Sequence, residues 1–68
     1  MTTMMTYEEF LAWGEAEDAQ RKADLAAVRS QADLDKAKRA ARKRRLAAGL
    51  TRNQATEAIK AVQQARRG

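Results

Sequence analysis

The chain has no cysteine, no histidine and no proline, and its only glycines are Gly14, Gly49 and Gly68. Without cysteine there can be no disulfide. Without cysteine or histidine a transition metal would have to be held by carboxylates alone, which makes a poor zinc site, so no cofactor or metal is expected. The same gap removes the commonest general base and the best thiol nucleophile. No glycine-rich phosphate loop is present either, and the chain is expected not to be an enzyme. Aromatic residues stop at Tyr7, Phe10 and Trp13. No apolar run approaches the roughly 18 residues of a membrane helix, and residues 1–6 lack the basic and apolar regions of a secretory signal. The expectation is a cytoplasmic protein with no membrane partner.

What remains is dominated by Ala, Glu, Lys, Arg, Gln and Leu, the strong helix formers, and no run alternates with the two-residue period of a strand. An all-α fold follows. Residues 1–6 read as a tail. Thr6 followed three residues later by Glu9 forms a capping box, with Met5 and Phe10 placed as a hydrophobic staple. Glu8 and Glu9 oppose the positive end of the helix dipole. A helix therefore starts at Tyr7, and no breaker is evident before Gly49. Residues 7–48 are expected as one rod of roughly 60 Å, with Gly14 as a possible bend. Gly49 suits the left-handed position after a helix end, with apolar Leu50 behind it. Thr51 and Gln54 form a second capping box, and Ala55, Ala58, Ile59, Val62 and Ala65 recur at helical spacing, so residues 52–65 are expected as a short helix.

The expected architecture is thus a single helical hairpin domain, 1–68. In the rod, Ala16, Ala19, Ala23, Ala27, Ser30, Leu34, Ala37, Ala41 and Ala48 mark the packing seam, and the short helix covers the rod's C-terminal part. Large apolar side chains are few: Phe10, Leu11, Trp13, Leu25, Val28, Leu34, Leu46, Leu50, Ile59 and Val62. So short a list does not readily offset the ordering entropy of the backbone. A homodimer is expected, with Phe10, Trp13, Leu25, Val28, Leu34, Leu46, Leu50, Ile59 and Val62 as core or dimer contacts. Residues 1–24 hold six acids and two bases, and residues 25–68 three acids and twelve bases. This asymmetry favours an antiparallel, bundle-like dimer of two hairpins.

Carboxylate pairs such as Glu8 with Glu9 or Glu15 with Asp18 read as dipole complements and solvated charge. The feature most able to carry function is Lys36-Ala37-Lys38-Arg39-Ala40-Ala41-Arg42-Lys43-Arg44-Arg45, where seven of ten residues are basic. It reads as a docking surface for phosphates or an acidic protein, or as a solvated face balancing a partner subunit's acids. Lys36, Lys38, Arg39, Arg42, Lys43, Arg44, Arg45 and Arg52 are the expected partner-binding residues. The corner at Gly49-Leu50-Thr51, followed by Arg52, Asn53 and Gln54, has the look of a helix-turn-helix able to read base edges, although αα-hairpins share that corner chemistry. Tyr7, Phe10 and Trp13 form either a packing group or an exposed anchor for a partner's pocket.

Several of these features occur together: the Met-Thr-rich start, the opening Met5-Thr6-Tyr7-Glu8-Glu9-Phe10-Leu11-Ala12-Trp13, the Ala-Arg-Lys-rich middle, and the capped helix after Gly49-Leu50-Thr51. In this combination the whole chain resembles the small anti-quorum-sensing proteins made early by temperate Pseudomonas phages. The resemblance implies a helical homodimer in the host bacterial cytoplasm. It also implies two host partners: a LuxR-type quorum-sensing regulator, kept off its promoter DNA, and the ATPase that drives type IV pilus assembly. An acidic surface would suit a DNA mimic, and this chain is basic, so such inhibition would rest on specific contacts and bulk. The alternative is a small basic helical protein that binds DNA or regulates transcription directly.

Overall fold

The computed structural model describes residues 5–67, which form three helices: α1 (Tyr7–Ala26), α2 (Gln31–Ala47) and α3 (Arg52–Arg67). Most of the expected tail, residues 1–4, lies outside the described part.

Each helix begins on a side-chain cap. The Thr6 hydroxyl accepts from the Glu9 amide at 3.1 Å, and the Thr6 amide donates to the Glu9 carboxylate at 3.4 Å. The Thr51 hydroxyl and Gln54 side chain repeat this reciprocal pair at 3.1 and 2.8 Å. Both boxes lie where the sequence places them. A third cap was not anticipated. The Ser30 hydroxyl accepts from the Asp33 amide at 3.3 Å, while the Asp33 carboxylate accepts from the Arg29 amide at 3.1 Å.

That third cap corrects the single rod over residues 7–48. Ser30 has extended backbone angles (φ −152°, ψ 169°) and starts a new helix, after α1 has closed on Ala27. Ser and Asp bind backbone groups in non-helical geometry, which is why they favour caps over helix interiors. The motif Ser30-Gln31-Ala32-Asp33 is itself a capping signature.

The second corner matches its expectation. Gly49 has φ +74°, the only positive φ among the described residues. Its amide donates to the Leu46 carbonyl at 3.0 Å, and the Leu50 amide donates to the Arg45 carbonyl at 3.2 Å. This is the double hydrogen bond of a Schellman ending. It turns the chain so that Leu50 is buried.

α3 packs chiefly against α1, and α2 joins α1 less extensively. The expectation that the short helix covers the C-terminal part of the rod therefore fails: it lies chiefly on α1. Gly14 shows why α3 sits where it does. A Cβ there would lie 2.6 Å from the Ala58 carbonyl oxygen. The two backbones meet at van der Waals range only because Gly14 has no side chain.

The interior is small. Leu50, Ala55, Ala58 and Val62 are buried, and no large side chain among the described residues is fully enclosed. The body measures 37 × 35 × 15 Å, with a radius of gyration of 12.8 Å. A compact chain of this length would have about 11 Å. Phe10, Trp13, Val28, Leu34 and Ile59 are half-buried, while Leu25 and Leu46 are exposed and are not core residues of the single chain. Ala16, Ala19, Ala23 and Ala27 also face outward, so the α1 part of the expected alanine seam is corrected. No helix among the described residues is long and apolar enough to cross a membrane.

Candidate functional site

The side of α1 that turns inward carries acids. Glu17 is 2% exposed and Asp18 5%. At 100° per residue these two and Gly14 share one face of α1, opposite Ala16, Ala19 and Ala23. Buried carboxylates must be paired and hydrogen-bonded to be tolerated, and both are. Arg44 of α2 reaches across, with Nε donating to Glu17 Oε2 at 2.7 Å and Nη2 donating to Glu17 Oε1 at 2.9 Å. This two-pronged geometry is the strong form of a guanidinium–carboxylate pair. Arg44 Nη2 also reaches Asp24 at 3.4 Å, and Arg21 Nε lies 3.0 Å from Glu17. On the other side, Arg66 of α3 donates to Asp18 at 2.8 Å, with Lys22 at 3.3 Å. No buried side-chain nitrogen or oxygen among the described residues lacks a partner.

The electrostatics follow from this geometry. Burial pushes the Glu17 carboxyl upward, but hydrogen bonds and charge from Arg44 and Arg21 outweigh it and hold the group below the ordinary carboxylate range. The hydrogen bond from Arg66, opposed by burial and helped by Lys22, holds Asp18 low as well. Its hydrogen bond to Glu17 raises Arg44, against a smaller opposing effect of burial. All these charges are therefore fixed near neutral pH. They tie α2 and α3 to α1, and are structural.

This division sorts the expected partner-binding residues. Arg44 is engaged within the chain, as a clamp on Glu17 and Asp24. Arg45 is half-buried, and its guanidinium donates to the Leu50 carbonyl at 3.1 Å, bracing the corner. Lys36, Lys38, Arg39, Arg42, Lys43 and Arg52 are exposed. None of the six pairs with a carboxylate among the described residues. The helical repeat then splits those on α2 between two sides: Lys38 and Arg42 lie beside Leu34 and Ala41, and Lys36, Arg39 and Lys43 lie away from them.

Lys38 and Arg42 border a groove of about 610 Å³ where the three helices meet. α1 contributes Arg21, Asp24 and Leu25, α2 contributes Leu34, Ala37 and Ala41 to the floor, and α3 contributes Arg52 and Ala55. Sequence reading missed this site, because it forms only once α1 and α2 are separate helices folded beside each other. It also missed the roles of Glu17, to which it gave none, and of Asp18, which it read as dipole complement and solvated charge.

The helix-turn-helix reading loses one of its proposed readers, since Gln54 is engaged in capping Thr51. Among the described residues no group of three or more acidic side chains could hold a metal ion. A second, shallower cleft of about 460 Å³ includes Trp13, Gln20, Arg44 and Ala47; the half-buried Trp13 ring lies at this cleft. Comparison with known protein families, with curated proteins and with solved structures finds no match to this chain.

Proposed function

We propose that this chain is a small non-catalytic binding protein that works by covering part of another protein, using the groove and the basic side of α2. One observation carries the reading. Three of the six acids of α1, Glu17, Asp18 and Asp24, are paired inside the chain, while six exposed cations face solvent with no ion pair among the described residues, and two of them flank an aliphatic floor. A positive surface of this kind attracts an acidic partner and speeds its approach. The aliphatic floor suits a protein, because phosphate contacts are made by cations and hydrogen-bond donors and draw nothing from an apolar surface.

Following the resemblance, the proposed role is inhibition in the cytoplasm of a bacterial host, by binding a LuxR-type regulator so that it is kept from DNA, with the pilus assembly ATPase as a second target. We also propose that the chain works as a homodimer. Supporting this are the flat shape, the absence of any fully enclosed large side chain among the described residues, and the exposed Tyr7, Leu25 and Leu46. With three helices per chain such a dimer holds six helices, not four. The electrostatic case for an antiparallel pair now falls on Glu8, Glu9 and Glu15, because Glu17, Asp18 and Asp24 are matched within the chain.

A second reading, direct binding to nucleic acid, draws on the same six cations. Affinity capture from bacterial lysate, with and without nuclease, separates the two. The protein-binding reading expects a defined protein to be retained after nuclease treatment. If all binding disappears with the nucleic acid, and binding to duplex DNA falls steeply with salt, the second reading replaces it.

A further inference from the structure

We infer that the groove between the three helices receives an acidic amphipathic helix of a partner protein, seated with its apolar stripe on Leu25, Leu34, Ala37 and Ala41 and its carboxylates toward Lys38 and Arg42. This rests on the reading of the chain as a protein-binding module, and names the chemistry of the segment that it binds.

Three features of the groove select that occupant. The first is length. From Leu34 to Arg45 along α2 is about 16 Å at 1.5 Å per residue, or three helical turns. The second is the floor. Leu25 is 59% exposed and Leu34 and Ala37 are half-buried, so large and small apolar side chains face an open trough. An amphipathic helix binds such a trough through anchors at positions i, i+3 or i+4, and i+7. The small Ala37 and Ala41 let its backbone approach closely, as small residues do at helix crossings. The third is charge. Arg21, Lys38, Arg42, Arg45 and Arg52 border the trough against one acid, Asp24; Asp24 is held by Arg44 and Arg21 by Glu17, which leaves Lys38, Arg42 and Arg52 as the unpaired cations exposed at the rim. A basic or neutral helix would leave this excess uncompensated, while a helix with carboxylates flanking its apolar stripe answers both floor and rim. Nucleic acid would meet the rim and leave Leu25 and Leu34 without a role.

The test is fluorescence polarisation with the full chain and a labelled synthetic helical peptide of roughly 14 residues, about four turns. Its leucines lie on one stripe and its glutamates flank them. The control peptide has the same composition with its leucines scattered around the helix, and a labelled DNA duplex is the third probe. The amphipathic peptide is expected to bind at least about tenfold more tightly than the scattered one, because only it presents a continuous apolar face. Leu25→Ala is expected to weaken it by about tenfold, the effect of removing a large apolar anchor. Lys38→Glu with Arg42→Glu is expected to weaken it by more than Arg39→Glu with Lys43→Glu, which makes the same charge change on the far side of α2. Circular dichroism confirms that each variant keeps its helices; these side chains are exposed and leave the Arg44 clamp intact.

Equal binding of the two peptides, or equal effects of the two double substitutions, overturns the inference, as does preference for the duplex with the same sensitivity to Leu25→Ala. If the peptide result fails while a nuclease-resistant protein partner is still captured, the groove assignment falls and the protein-binding reading stands. If that capture fails too, both fall.

Discussion

Gly14 and Glu17 lie three residues apart on α1, just under a full turn, and each is needed for a different contact. Gly14→Ala would drive a Cβ to 2.6 Å from the Ala58 carbonyl, which is backbone and cannot swing away. The helices must separate, and we expect a loss of about 2 kcal/mol, within the range for overpacked contacts; urea denaturation measures it. Glu17→Gln keeps the shape but removes the charge that Arg44 and Arg21 grip. Breaking one side of a buried pair costs about 3 kcal/mol, and Arg44 is 29% exposed, so solvent recovers part of that. We expect about 2 kcal/mol. The pH dependence has a definite sign. Glu17 and Asp18 both have folded pKa values below their ordinary ones. Their contribution is complete above the unfolded carboxylate values, about 4, and is lost as pH falls through the lowered folded values. Thermal melts are expected to show wild type and Glu17→Gln well separated at neutral pH and converging in strong acid. A separation that grows with acidification would contradict the assignment.

At the scale of elements, α2 depends least on burial: none of its residues is buried. It is held by a cap at Ser30, a Schellman ending at Gly49 and the Arg44 clamp between them. Ser30→Ala is therefore expected to cost about 1 kcal/mol, the usual value of an N-cap. Hydrogen exchange is expected to accelerate in the first turn of α2 before it does in α1 or α3. Uniform acceleration across all three helices would count against α2 being an independently tethered unit. Here the reach of sequence is clear. Thr6, Gly49 and Thr51 acted locally, through neighbours three or four residues away, and their corners were legible. The Ser30-x-x-Asp33 cap was equally local, but it lay between strong helix formers with no glycine or proline to mark it. The inward face of α1 was not legible, because the arginines that make Glu17 and Asp18 tolerable inside stand 27 and 48 residues along the chain. Periodicity therefore assigned the inner face to alanine. The basic block was plain in the sequence, but the groove was not, since it needs the unread break at 27–30.

Taken whole, the chain is flat and poor in interior, and five of its exposed, unpaired cations lie on α2. Such a body is expected to gain stability on pairing, because oligomerisation is the reinforcement open to a small scaffold without disulfide or metal. Sedimentation equilibrium is expected to find a dimer at micromolar concentration, with a melting temperature that rises with protein concentration. A monomer whose melting temperature is independent of concentration would remove the dimer from the account. The claim on which the rest depends is that the grooved side of α2 meets a protein. The most direct measurement compares nuclease-treated bacterial lysates captured on wild type, on Lys38→Glu with Arg42→Glu, and on Arg39→Glu with Lys43→Glu. The account predicts that the first double substitution loses a protein which wild type and the second retain. Identical capture by both double substitutions, or none by wild type once nucleic acid is digested, would contradict it.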